Sequence, residues 1–175
     1  MAYPVLTVLD DGRRLDFSFA DMLKYHGGGS PGGVAQAFKV LERAFALLSP
    51  DGPPERAELS VRTPFDGPGL RDGFEMVTRA VTGDRFVLDP DLYRRDLGRQ
   101  REQFVFHVSY RDRTVTLAIR EGLVRDDFLA LLRTAGRTPE QDAKFEILKQ
   151  DFADRLIAGS AEDAYDVLDA PTDLP

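Results

Sequence analysis

The chain has 175 residues, 42% of them hydrophobic and 30% charged, with a formal net charge of -7. That length allows one well-buried core with little room for a second domain, and the acidic balance argues against a nucleic-acid surface. There is no cysteine, which excludes disulfides, thiolate zinc sites, iron–sulfur clusters and thiol nucleophiles.

Met1-Ala2-Tyr3-Pro4-Val5-Leu6 has no basic segment followed by an apolar run, so no secretory leader is expected. The apolar stretches are too short to span a bilayer. A cytoplasmic protein with no membrane contact is the expectation. Pro4 to Leu9 and Arg13 to Phe19 flank Asp10-Asp11-Gly12 and predict a β-hairpin, because Asp-Gly between alternating apolar runs suits a tight turn. A short amphipathic stretch, Phe19 to Tyr25, then meets His26-Gly27-Gly28-Gly29-Ser30-Pro31-Gly32. Beyond it Val34, Phe38, Leu41, Phe45 and Leu48 share one helical face.

Ser49 to Pro54 ends that helix, and Ala57 to Val61 reads as a strand. A second glycine/proline loop, Thr63 to Gly69, precedes Leu70, Phe74, Val77 and Val81 at helical spacing, with Gly83 as the expected stop. Arg85 to Leu88 predicts a strand. Arg94 to Arg101 is a basic stretch read as a solvated connector. Gln103 to Tyr110 and Arg113 to Arg120 predict a strand pair turning at Arg111-Asp112, with Val115, Leu117 and Ile119 on the buried face. Helical character follows over Leu123 to Thr134. Thr138-Pro139-Glu140-Gln141 opens a helix that buries Phe145, Leu148, Phe152 and Leu156 and stops at Gly159. Ser160 caps a last short helix, and residues 170–175 are expected to fray.

This order predicts an α+β domain over residues 1–169, with a mixed, mainly antiparallel sheet, helices on one face and a helical C-terminal third. His26 is a general base or ligand, or a helix-end histidine bonded to a backbone carbonyl. The glycine loop, through Gly28, Gly29, Ser30 and Gly32, either cradles an anion at the start of the next helix or is a bare connection that lets helices pack closely. It is neither a Walker sequence nor a dinucleotide fingerprint. Ser30 is read as a helix cap, and His107 as a bonded sheet histidine.

Two segments together resemble a known family. His26-Gly27-Gly28-Gly29-Ser30-Pro31-Gly32 is similar to the H-G-H-x-C-P-G motif of the FmdE family, proteins related to a component of formylmethanofuran dehydrogenase. Gly69-Leu70-Arg71-Asp72-Gly73-Phe74-Glu75, with Val81-Thr82-Gly83, resembles that family's C-x-x-D-A-I-Q segment and the T-x-G after it. The resemblance covers most of residues 13–168. It implies an antiparallel or mixed sheet with helices on one face, a homodimer, a place in a one-carbon or redox pathway, and a metal such as zinc. Ser30, Gly69 and Ala80 stand where the family has cysteines, and Gly28 where it has a second histidine. Of the motif ligands only His26 remains, with Asp72 and Glu75 as carboxylate substitutes. The resemblance also implies that the two glycine bends face one another across a cleft, so that Asp66, Asp72 and Glu75 approach His26.

Three readings follow. The first is a non-enzymatic FmdE-like subunit or accessory protein, with a pocket at His26 for a small anion or cofactor and a protein partner in its pathway. The second is an enzyme or cofactor-handling protein using His26 and Asp72 as acid–base groups. The third is a divalent-metal protein with His26, Asp72 and Glu75 as ligands.

Overall fold

Alternation and a tight turn build the N-terminal hairpin. β1 (Val5–Asp10) pairs antiparallel with β2 (Arg13–Ser18). Asp11 and Gly12 both take positive φ, 52° and 77°, which matches the twist of the strands. The hairpin forms a two-stranded sheet of its own, with Leu6 and Val8 turned into the core. The structure, a computed structural model, describes the backbone of residues 4–173 and the side chains of residues 4–168.

α1 (Phe19–His26) starts with a capping box between Ser18 and Asp21 and ends at Gly27, where φ is 87°. α2 (Pro31–Leu48) is the central helix. Val34, Phe38, Leu41 and Leu48 are buried as their spacing predicts, and so are Ala35, Ala37 and Val40 on its other sides. α2 is enclosed all round because it lies between the sheet and the other helices. β3 (Leu59–Thr63), α3 (Pro68–Thr78) and β4 (Phe86–Leu88) follow. β3 and β4 run parallel, with α3 as the crossover.

β5 (Val105–Tyr110) and β6 (Arg113–Ile119) form the expected antiparallel pair. α4 (Asp126–Leu132), α5 (Pro139–Ala158) and the short α6 (Ala161–Ala164) lead to β7 (Tyr165–Asp173). The larger sheet has the order β4-β3-β5-β6-β7 and is antiparallel apart from β3 with β4. The fold is α+β. Val61, Phe106, Val108, Val115 and Leu117 cover the sheet face that meets the helices. The rings of Phe74 on α3 and Tyr165 on β7 lie 6.1 and 5.8 Å from Phe106.

Several expectations are corrected. α3 stops at Thr78, not at Gly83: Arg79 turns left-handed, with φ 55°. The Glu75 carboxylate then takes the amides of Val81 and Thr82, so Val81 lies past the helix end. Residues 170–173, expected to fray, pair with β6 as the end of β7; residues 174 and 175 lie outside the described residues. Thr114, Thr116 and Ala118, which the alternation of β6 places opposite Val115, Leu117 and Ile119, are buried as well. Among the described residues no helix is long and apolar enough to cross a membrane.

Candidate functional site

The two glycine bends meet, and they do so in direct contact. A Cβ on Gly69 would fall 2.3 Å from the carbonyl oxygen of Ser30. One on Gly33 would fall 2.7 Å from the amide nitrogen of Leu70, and one on Gly73 2.6 Å from Cβ of Ala37. Glycine at these positions lets the backbones of α2 and α3 approach as no other residue would. The close packing lies between α2 and α3, through Gly33, Gly69 and Gly73, whereas a Cβ on Gly27 or Gly28 would meet nothing within 4 Å.

His26 lies at the end of α1, and its side chain is 9% exposed. Nδ1 is 2.7 Å from Oδ2 of Asp72 on α3. An ionised carboxylate only accepts, so Nδ1 carries a proton, and in the neutral ring Nε2 then presents the lone pair. That Nε2 is buried and has no partner among the described residues. It lies 4.0 Å from where a Cβ on Gly29 would stand. A histidine held in one tautomer by a carboxylate, with its second nitrogen free, has the geometry of a general base or ligand.

Glu75 does not join them. Its carboxylate accepts from the amides of Val81 and Thr82 and from the Thr82 hydroxyl, and pairs with Arg79. Burial alone would raise its pKa. The Thr82 hydroxyl, the two amides and Arg79 outweigh that and hold the carboxyl below its ordinary 4.5. The role is structural, closing the turn after α3. Zinc in a protein site takes about four N, S or O ligands. Here Asp72 is spent on Nδ1, Glu75 faces away and His26 offers one nitrogen. Among the described residues no group of three or more histidines, aspartates or glutamates could hold a metal. These residues do not fit the zinc that the resemblance implies.

A cavity at the starts of α2 and α3 takes in neither His26 nor Asp72. Its volume is about 330 Å3, and Ser30, Gly32, Gly33 and Gln36 of the α2 end line one side. Phe65 to Gly69, entering α3, line another; α4 supplies Phe128, α5 supplies Phe145, Lys149 and Phe152, and the turn between them supplies Arg137. Of the residues singled out from sequence, Ser30, Gly32 and Asp66 line it. Gly28 and Gly29 do not, although the Gly29 carbonyl accepts from Nζ of Lys149 at 2.6 Å. Lys149 and Arg137 were missed by sequence reasoning; each reads as an ordinary charge on or before an amphipathic helix.

The electrostatics of this cavity are one-sided. α1, α4, α5 and α6 all carry acidic residues in their first turns. α2 and α3 carry none, have proline at the start, and gain no side-chain cap. Ser30 stands at the cap position without making the bond expected of it. Their first-turn amides are thus unsatisfied donors at the positive ends of two helix dipoles, and both ends open on the cavity. The other end of α3 is fully served: Arg56 donates to the carbonyls of Met76 and Val77, and Arg85 to those of Thr78 and Arg79.

His107 lies mid-sheet, in register with Thr116 and Arg62, away from both features. The basic stretch from Arg94 is tied down locally, Arg94 to Asp96 and Arg101 to Asp166. Compared with protein-family models and with curated proteins, the chain matches none.

Proposed function

We propose that this chain is a non-enzymatic accessory protein, FmdE-like and homodimeric, that serves a one-carbon or redox pathway by holding a small anion. The observation that carries the anion is the convergence of two uncapped helix starts with Lys149 and Arg137 on one cavity. Arg137 pairs with Asp142 and Lys149 with Glu146, and each cation keeps a donor for a further acceptor beside the two helix starts. The pathway rests on the resemblance at the two bends.

Two measurements test the reading. Calorimetric titration of the purified protein with inorganic phosphate should show saturable binding, weakened about tenfold or more by Lys149→Gln, since a charge-assisted hydrogen bond is worth about 1.5–3 kcal/mol. Absence of any binding would remove the anion. Isolation from the native host should bring a second protein with it; a chain always recovered alone would remove the accessory role.

A second reading is favoured by one observation, the His26–Asp72 pair with its free Nε2. In that reading the pair moves a proton for a reaction on a ligand. It requires that His26→Ala, still folded by circular dichroism, lose turnover while phosphate binding persists.

A further inference from the structure

We infer that the cavity takes an organic anion: a carboxylate or phosphate head carried on an aromatic-sized apolar body. This rests on the anion reading above and adds the part of the ligand that the charges do not define.

Volume argues first. A water molecule's share of liquid is about 30 Å3, so a cavity of about 330 Å3 holds far more than a bare oxyanion. The walls argue next. Phe65, Phe128, Phe145 and Phe152 line the space, with Phe128 set 5.6 Å from Phe145 and 5.0 Å from Phe152, centroid to centroid. Aromatic faces of this kind reward a ring or a short apolar chain rather than a hydrated ion.

The head is recognised at the start of α2, which packs against Phe152. Gly32, Gly33 and Gln36 share one side of α2, the first two offering first-turn amides. Gln36 is only 2% exposed. Its Oε1 accepts from the Tyr165 hydroxyl at 3.3 Å, and its Nε2 has no partner among the described residues. An amide donor left open on the cavity by a residue otherwise enclosed is placed to meet a ligand's acceptor. The cations stand where head and body join. The guanidinium of Arg137 lies 4.6 Å and the ammonium of Lys149 5.2 Å from the centre of the Phe145 ring. Lys149 spends two donors, on Gly29 and Glu146, and keeps a third. Arg137 spends Nε and Nη1 on Asp142, Leu131 and Thr134, and its Nη2 has no partner among the described residues. Asp66, the one acid along the lining, is exposed on its loop, and Asp142 and Glu146, outside the lining, hold one cation each without using all its donors.

The test is calorimetric titration of the full chain with four probes: phenyl phosphate, benzoate, inorganic phosphate and benzyl alcohol. Phenyl phosphate should bind about tenfold or more tighter than inorganic phosphate, from burial of the ring, and benzoate at least tenfold tighter than benzyl alcohol. Comparison of phenyl phosphate with benzoate then identifies the head. Phe65→Leu, at a partly exposed position, should weaken phenyl phosphate severalfold and leave inorganic phosphate unchanged, whereas Lys149→Gln should weaken both. Equal affinity for phenyl phosphate and inorganic phosphate would overturn the apolar body while the anion reading stands. Binding of none of phenyl phosphate, benzoate and inorganic phosphate would overturn both, as would benzyl alcohol binding as tightly as benzoate.

Discussion

Nδ1 of His26 lies 2.7 Å from Oδ2 of Asp72, across 46 residues of sequence, and joins the last residue of α1 to α3. The histidine is enclosed and the aspartate is 41% exposed. Water therefore competes for the carboxylate but not for the ring, and the contact orients an imidazole more than it stabilises the fold. The uncapped ends of α2 and α3 and the cations beside them lie at the adjoining cavity. Proton-handling geometry and anion-holding geometry are thus neighbours built on the same two bends.

Asp72→Asn should cost about 1 kcal/mol, less than the roughly 1.5–3 kcal/mol of an enclosed bond to a charged group, because the carboxylate is partly in water. Urea midpoints at neutral pH measure it. A loss above about 3 kcal/mol would mean that the pair is a structural keystone and not an orienting contact.

Gly33→Ala should be among the most damaging of all single-methyl additions. The new Cβ would meet the backbone nitrogen of Leu70 at 2.7 Å, an atom that cannot turn aside as a side chain can. Overpacking of this kind costs about 1–3 kcal/mol. Gly28→Ala, with nothing within 4 Å, is the control and should be close to neutral. Thermal melts of the two variants side by side decide it.

Ser18→Ala and Ser30→Ala should part company. Ser18 accepts from the Asp21 amide in a complete capping box, so its loss costs about 1 kcal/mol. Ser30 makes no cap bond, and its replacement should move the denaturation midpoint by under about 0.5 kcal/mol. An equal cost at both positions would contradict the open start of α2.

Glu75 should make stability depend on acid. Its carboxyl is held below 4.5 in the folded protein and sits at its ordinary value in the unfolded chain, so the unfolded chain binds the proton more readily. Its contribution is complete above that ordinary value and is lost as pH falls through the lower, folded one. Wild type should exceed Glu75→Gln by about 1–3 kcal/mol near neutrality, with the gap closing below pH 4.5. Urea titrations of both proteins across that range give the difference directly; a gap independent of pH would remove the charge from the explanation.

Signals carried by a few adjacent residues are legible in the sequence alone. Asp11-Gly12 marks the hairpin, Thr138 to Gln141 marks the start of α5, and the repeats of α2 and α5 mark their buried faces. These depend on torsional preference and on the period of a helix or strand, which are local properties. The α+β class and the special character of both glycine bends follow from them; the approach of Asp72 to His26 is what the family resemblance implies, and the tertiary structure brings the two together.

Tertiary contact decided the rest. Tyr165–Asp173, with Pro171 inside it, has no strand period of its own and becomes β7 because β6 offers it an edge. Whether Glu75 faces His26 or Thr82 depends on where α3 ends, and that depends on an amide turn six residues further on. Lys149 and Arg137 gain meaning only when α5 and the turn before it are laid beside two helix starts more than sixty residues away in sequence. Hydrogen-bond satisfaction and electrostatic potential are sums over neighbours in space, so a chain read in order carries the donors and charges but not what they face.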